Sequence, residues 1–82
     1  MKTKIWVSAL IPAYGADIYD GVRLLVSLTE ADCYRDLAEW LEIPYRGPKA
    51  TTKALDRAMD PKTAKPGFGI HLWRVEEQVV YS

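Results

Sequence analysis

One pair of side chains in the sequence has the types needed for covalent catalysis. Cys33 is the single cysteine and His71 the single histidine, and a thiol next to an imidazole base is a common nucleophilic pair. An acid such as Asp36 would have to orient the imidazole. The spacing follows no catalytic signature, and a cysteine on the apolar side of a helix is usually a small buried side chain. We therefore predict that the protein is not an enzyme.

The same inventory of side chains argues against metals and cofactors. With one cysteine and one histidine, a structural zinc site would lack ligands. The carboxylate pairs Asp17/Asp20 and Glu76/Glu77 lack the companion groups of a metal or glycosidase site. The segment 67–69 is glycine-rich but lacks the Gly-Lys-Ser/Thr ending of a phosphate loop. We predict no metal site and no cofactor.

Charged side chains fall into two stripes at helical spacing. The chain has 11 basic and 11 acidic side chains. The charged residues of segment 30–45 are mostly acidic, however, and those of segment 46–66 are mostly basic. The acidic stripe consists of Asp32, Asp36, Glu39 and Glu42. The basic stripe consists of Lys49, Lys53 and Arg57, and Arg46 just before it is a further candidate contact to nucleic acid. Acids so arranged can take the place of phosphates in a partner's basic groove, whereas the bases suit a nucleic-acid backbone. In a third interpretation two antiparallel helices neutralise each other and their outer faces are solvated.

Aromatic side chains are more numerous than a small core requires. There are three Trp, five Tyr and one Phe in 82 residues. Tyr14 and Tyr19 flank a predicted turn, where tyrosine is a typical interface anchor. Trp6 and Trp73 are predicted to lie on a sheet face that no helix covers. These four residues predict a protein-binding face.

The elements that position these residues begin with two strands. Apolar residues from Lys4 to Ile11 indicate a strand that Pro12 ends. The pair Asp20-Gly21 is typical of a tight hairpin turn. After this pair, every second residue from Val22 to Leu28 is apolar, and this alternation predicts a second strand.

Two helices and a last strand follow. Thr29 stands at a helix cap position and predicts a helix to about Glu42, which Pro44 stops. Pro48 suits the first turn of a second helix that ends at about Met59. Residues 60–69 contain the prolines and glycines of an exposed loop. The remaining residues to Tyr81 favour a strand, with a bulge or turn where the alternation fails at residues 76–77.

The order strand, strand, helix, helix, strand (ββααβ) predicts one domain spanning residues 1–82. Its fold class would be α+β, a two-layer sandwich in which two helices cover one face of a small antiparallel or mixed three-stranded sheet. If the last strand pairs with the first, it runs parallel to the second through a right-handed crossover. A single cysteine forbids an intrachain disulfide, which favours a cytoplasmic location. No apolar run reaches the roughly 20 residues of a membrane span.

Two resemblances bear on function. The apolar helix around residues 37–43, the short link and the basic residues after Lys49 resemble the helix-turn-helix families over residues 34–59. That likeness implies a small DNA-binding regulator that uses the basic stripe. Across its whole length the chain resembles, in size and texture, the phage-encoded inhibitors of bacterial defence, such as anti-CRISPR proteins. This second likeness implies a non-catalytic protein that occludes a site on a larger host protein or nucleoprotein complex, with the acidic stripe and the aromatic face as contacts. We favour the inhibitor interpretation, and the sequence leaves a homodimer open.

Overall fold

The computed structural model describes residues 1–13 and 21–81. These residues form three strands and two helices in the predicted ββααβ order. The strands are β1 (Lys2–Pro12), β2 (Arg23–Ser27) and β3 (Ile70–Tyr81), and the helices are α1 (Glu30–Trp40) and α2 (Pro48–Met59). The α+β class and the order of elements are therefore confirmed.

The longest-range pairing in the chain builds the sheet. β1 lies in the middle, in the order β2-β1-β3, and is antiparallel to both neighbours. Its register against β3 runs from Lys2 opposite Tyr81 to Ile11 opposite Leu72, and a bulge follows at Pro12. β3 therefore runs in the same direction as β2, as the sequence predicts for a last strand that pairs with the first.

The helices are shorter than the sheet that they cover. A helix of 11 or 12 residues spans about 17 Å, because each residue adds about 1.5 Å. A strand of 12 residues spans about 40 Å at about 3.3 Å per residue. β1 and β3 therefore extend beyond the helices as a two-stranded ribbon, Lys2–Ile5 paired with residues 78–81, whose residues on β3 are exposed on both faces.

The start of α1 is fixed by three polar side chains. The Thr29 hydroxyl accepts a hydrogen bond from the Asp32 backbone N–H at 3.3 Å, so Thr29 is the N-cap that the sequence predicts. The Ser27 hydroxyl accepts one from the Thr29 N–H and donates to the Asp32 carboxylate at 2.9 Å. This arrangement is a capping box with a serine hydroxyl inserted between its two partners. It joins the end of β2 to the first turn of the helix.

The end of α1 is a Schellman motif built on a glutamate. The Ile43 N–H donates to the Ala38 carbonyl, and the Glu42 N–H donates to the Glu39 carbonyl. This pattern needs a left-handed residue at the position after the cap, and Glu42 has φ = 57°. The helix therefore ends at Trp40 with Leu41 as its cap, about two residues before the predicted end, and Ile43 turns back onto the core.

α2 has the predicted bounds. Pro48 occupies its first turn, where a missing N–H has no helical partner to lose. Gly47 precedes it with φ = 100°, which favours glycine. The Thr51 hydroxyl donates to the Gly47 carbonyl at 2.9 Å and is buried under the helix.

The core lies between the helices and one face of the sheet. Its fully buried centre combines Leu10 of β1, Leu37 of α1 and Leu55 of α2, with Ile70 at the start of β3. The ring of Trp40 meets that of Phe68 edge to face, with ring centres 6.0 Å apart. The predicted apolar sides of both helices are buried for the most part, although Met59 is 40% exposed.

The predicted bulge at residues 76–77 was wrong. β3 continues through Glu76 and Glu77 in register with β1, and the bulge lies at Pro12 opposite Ile70. The apolar-polar alternation fails at Glu76 because the strand leaves the cover of the helices there, so neither face has to be apolar. Pro12 has no backbone N–H to donate to the neighbouring strand, which explains why the regular pairing is interrupted there.

We predict that Glu42→Gly stabilises the protein by about 0.5–1 kcal/mol, because glycine adopts the left-handed conformation without the Cβ clash. Urea unfolding of the variant measures this. Glu39→Gly is the matched control: it removes the same charged side chain from a residue with helical backbone in the last turn of α1 and should destabilise the protein by up to about 1 kcal/mol. A destabilised Glu42→Gly variant would contradict the left-handed assignment.

Candidate functional site

The two faces of the sheet differ in what covers them. Ser8 and Leu10 point to the helices and are buried, and Arg23 and Ser27 bond side chains of α1. The alternate residues point away from the helices. We call this surface the open face; in register from β2 across β1 to β3, its central rows are Leu24, Ala9 and Arg74, and Val26, Val7 and Glu76.

The open face is apolar and exposed on its β2 side. Leu24 and Val26 are 67% and 63% exposed, and Val22 and Leu28, just beyond the two ends of β2, are 54% and 74% exposed. On β3 the two central rows end in polar residues, Arg74 and Glu76, which form an ion pair at 3.3 Å, whereas Leu72 next along the same face is apolar and 42% exposed. The apolar members of the β2 alternation therefore face outward.

Two polar contacts with α1 explain why the apolar side of β2 faces away from the helices. Arg23 makes a bidentate ion pair with Asp36 of α1: its Nε lies 2.9 Å from one carboxylate oxygen and its terminal nitrogen 2.7 Å from the other. Ser27 bonds Asp32 in the same layer. If β2 turned over, Arg23 and Ser27 would lose these partners and Asp36 would be left half-buried and unpaired.

The tryptophans predicted for the open sheet face lie on the helix side instead. Trp73 stands opposite Leu10; its ring meets Tyr34 of α1 edge to face, and its indole N–H donates to Asp56 of α2 at 3.3 Å. Trp6 shares the parity of Ser8 and Leu10 and is half-buried. The assignment of Trp6 and Trp73 to the open face was wrong: both alternate in register with Ser8 and Leu10 on the helix side, and there the Trp73 ring meets Tyr34.

The predicted anchors Tyr14 and Tyr19 lie outside the described residues, as do Asp17 and Asp20. Tyr45, in the link between the helices, is half-buried, with the Arg35 guanidinium 5.2 Å from its ring centre. The contribution of Tyr14 and Tyr19 to a binding face stays a prediction.

The acidic stripe divides into two parts. Asp36 is bound to Arg23 and its side chain is only 18% exposed, so it is not a free carboxylate on the surface. Glu39 and Glu42 are exposed, and no cation of the described residues lies within 4.0 Å of either. Only this second part of the stripe, together with the exposed Asp32, is accessible to a partner.

Asp32 has an altered acidity. Hydrogen bonds from Ser27 and then Thr29, with a smaller attraction from Arg35, lower the pKa of the Asp32 carboxyl below its ordinary value of 3.8. Because the folded pKa is lowered, the stabilisation from this capping contact is complete above that ordinary value. It is lost as the pH falls through the lowered pKa.

The basic stripe is exposed along α2. Arg46, Lys49, Lys53 and Arg57 are all exposed, and the last three lie opposite the buried side of the helix. In the described part of the chain no carboxylate lies within 4.0 Å of these four residues, and no ion pair joins α1 to α2. The separation of charge between the two helices is therefore not neutralised by direct pairing.

Cys33 and His71 have different surroundings. Cys33 is fully buried beside Ser8, and burial raises the pKa of its thiol, with Asp36 and Asp32 adding to the effect. His71 is exposed at the start of β3. A raised pKa lowers the fraction of thiolate at neutral pH, which is the opposite of what a nucleophilic cysteine requires.

Two clefts border the C-terminal end of α2. The larger has a volume of about 400 Å³ and lies between Ala13, Met59, Ala64 and Gly67, among others. The smaller, about 140 Å³, lies between Ile43, Ala54 and Phe68. Their ionisable lining residues are Lys65 in both clefts and Arg57 in the smaller one. Neither lining combines an acid with a base.

Comparison of the chain with protein-family models, curated proteins and solved structures found no match. Among the residues that the structure describes, no helix is long and apolar enough to cross a membrane. Within the same residues, no three His, Cys, Asp or Glu side chains are grouped so that they could hold a metal ion.

We predict that Asp36→Asn destabilises the protein by about 1–3 kcal/mol, since it weakens two charge-assisted hydrogen bonds that are mostly shielded from water. Chemical denaturation measures the change. Glu39→Gln is the matched control on the same helix and should change stability by less than about 0.5 kcal/mol. Equal effects of the two substitutions would show that the Arg23 contact does not fix β2 to α1.

Proposed function

We propose that the protein is a non-catalytic protein-binding module that docks on a larger protein through its open face. The observation that carries the proposal is the exposure of Leu24 and Val26, at 67% and 63%, on a sheet face without helical cover. Monomeric proteins rarely expose large contiguous apolar patches, and such patches are typical of interaction sites. Burial against a partner contributes about 25 cal/mol per Å² of apolar surface.

The composition of the face indicates the chemistry of its partner. The apolar rows around Val7 and Val26 end at the Arg74–Glu76 pair on β3. An apolar centre with a charged rim is the usual anatomy of a protein interface. The partner surface should therefore offer an apolar patch bordered by polar groups.

The accessible acids belong to a different side of the molecule. Glu39 lies on the outer side of α1, which sits on the opposite face of the sheet from Leu24 and Val26. One flat partner surface cannot contact both. The proposed docking surface is therefore the open face alone, and the inhibitor role on a bacterial defence protein, with Glu39 and Glu42 as phosphate mimics, stays a prediction.

We predict that Leu24→Ser combined with Val26→Ser weakens partner binding strongly without unfolding the protein, because both side chains are already exposed. The tagged protein is used to capture its partner from lysate after nuclease treatment, and the affinity of the purified pair is then measured. The dissociation constant should rise about a hundredfold, since each lost apolar side chain forfeits about 1.5 kcal/mol of burial.

Met59→Ser is the matched control, because it removes an exposed apolar side chain from the helix layer. It should leave the affinity within about twofold of that of the unsubstituted protein. If the double substitution and the control bind the partner equally, the open face is not the contact surface.

A second candidate function, nucleic-acid binding, is favoured by one specific observation. Lys49, Lys53 and Arg57 project from the outer side of α2, with no acid of the described residues within 4.0 Å. Unpaired cations in a row can contact successive phosphates. The link between the helices, with its Schellman turn and Pro44, is longer than the turn of the helix-turn-helix families. Phosphate contact is therefore better supported than docking in the major groove.

For this candidate we predict that alanine at Lys49, Lys53 and Arg57 lowers affinity for duplex DNA. It should also flatten the slope of log K against log salt by about 0.9 per lost phosphate contact. Fluorescence anisotropy at several salt concentrations measures both quantities. Alanine at Lys2 and Lys4, on the strand, is the control and should leave the slope unchanged. An unchanged slope in the α2 variant would show that the basic stripe does not contact phosphates.

A further inference from the structure

The outer edge of β3 is long and is not paired with any other described strand. β3 has 12 residues, and this edge faces away from β1. Proteins usually protect such an edge with charged side chains, above all lysine, or with proline, a bulge or a very short strand. β3 has no lysine and no proline, its charged side chains are Arg74, Glu76 and Glu77, and its bulge is confined to the N-terminal end, where His71 is the extra residue. The backbone donors and acceptors along the rest of the edge are arranged to accept another strand.

The charges on β3 select an antiparallel copy of the same strand. Arg74 and Glu76 lie on the same face, on either side of Val75. A two-fold axis through Val75 places Arg74 of each copy directly opposite Glu76 of the other copy, which is a favourable cross-strand pair on both sides of the axis. Two-fold axes through residues 74, 76 or 77 instead place a charged residue opposite its own copy.

The position of α2 on β3 is compatible with the same two-fold axis. α2 covers the N-terminal half of β3, where Asp56 bonds Trp73 and Leu55 shares the core with Ile70. About an axis at Val75, this half of one copy lies beside residues 77–80 of the other copy. Those residues are exposed on both faces because no helix of their own chain reaches them.

We propose that two copies of this chain pair through the outer edges of β3, antiparallel and centred on Val75. The product is a six-stranded sheet in which α2 of each copy borders the bare ribbon of the other. The pairing places the helix-covered half of the other copy beside Val79, which is 42% exposed in the single chain. The contact is made by the outer edge of β3, whereas the proposed docking surface is centred on Leu24 and Val26 of β2 at the other side of the sheet. Only Arg74 and Glu76 belong to both surfaces, and the argument for pairing does not use the proposed function.

Charge reversal at two positions tests the proposal by sedimentation. Arg74→Glu alone and Glu76→Arg alone should each raise the dimer dissociation constant at least about tenfold, because like charges then face each other across the axis. An equimolar mixture should recover the dimer, because each acidic position then faces a basic one. Both variants lose the Arg74–Glu76 pair within the chain, and mixing does not restore it. Recovery therefore reports contact between chains.

Disulfide trapping gives a second measurement that does not depend on the strength of the charge pair. Directly opposed residues in antiparallel strands have Cα atoms about 4.5–5.5 Å apart, which suits a disulfide. Arg74→Cys mixed with Glu76→Cys should form a linked heterodimer under mild oxidation faster than either variant alone. Cys33 is fully buried and should stay unlinked. Glu39→Arg is the charge-reversal control and should leave the dimer unchanged.

Three results would overturn the proposal. The first is an unsubstituted protein that sediments as a monomer even at millimolar concentration. The second is a dimer that both single reversals leave intact, which would place the interface elsewhere. The third is failure of both mixtures: the charge-reversal variants do not dimerise when mixed, and the two cysteine variants do not form the mixed disulfide, although a cooperative thermal transition shows that each variant is folded. None of these results bears on capture of a partner by the open face.

Discussion

The structure depends on the position of β1 between two antiparallel neighbours. β1 pairs with β2, which follows it closely, and with β3, which lies at the far end of the chain. Closing that long loop costs conformational entropy, which burial between the sheet and the helices offsets. Within residues 1–13 and 21–81 only two helices are available for this burial, and both lie on the same face. Everything exposed on the other face, including Leu24 and Val26, follows from that one-sided cover.

The helix layer decides which side chains remain available for function. Asp36 of α1 forms an ion pair with Arg23, and Trp73 packs between the sheet and the helices against Tyr34. Side chains that looked like surface anchors in the sequence are therefore structural. The layer leaves two kinds of surface free, an apolar sheet face and a basic helix side, and they point in opposite directions.

The mismatch in length between strands and helices is the second determinant. Strands extend about twice as far per residue as helices, so helices of 11 and 12 residues cannot cover β3 along its whole length. The uncovered half keeps polar residues such as Glu77 and Gln78 on both faces and stays in register with β1. Its outer edge is a surface whose chemistry is set by the backbone, which explains why no motif in the sequence marks it.

The sequence by itself determined the order of the elements, both helix starts and the apolar sides of the helices. These features depend on local chemistry: Thr29 caps α1, Pro48 begins α2, and helical spacing places Leu37 and Leu55 inward. Only the tertiary structure decided which face of β2 meets the helices, because the alternation separates an apolar side from a polar side but does not show that the polar side, through Arg23 and Ser27, binds α1. A partner 13 residues away, Asp36 for Arg23, resolves that choice. Periodicity along a strand carries no information about such a partner, so the exposed apolar face could not be read from the sequence.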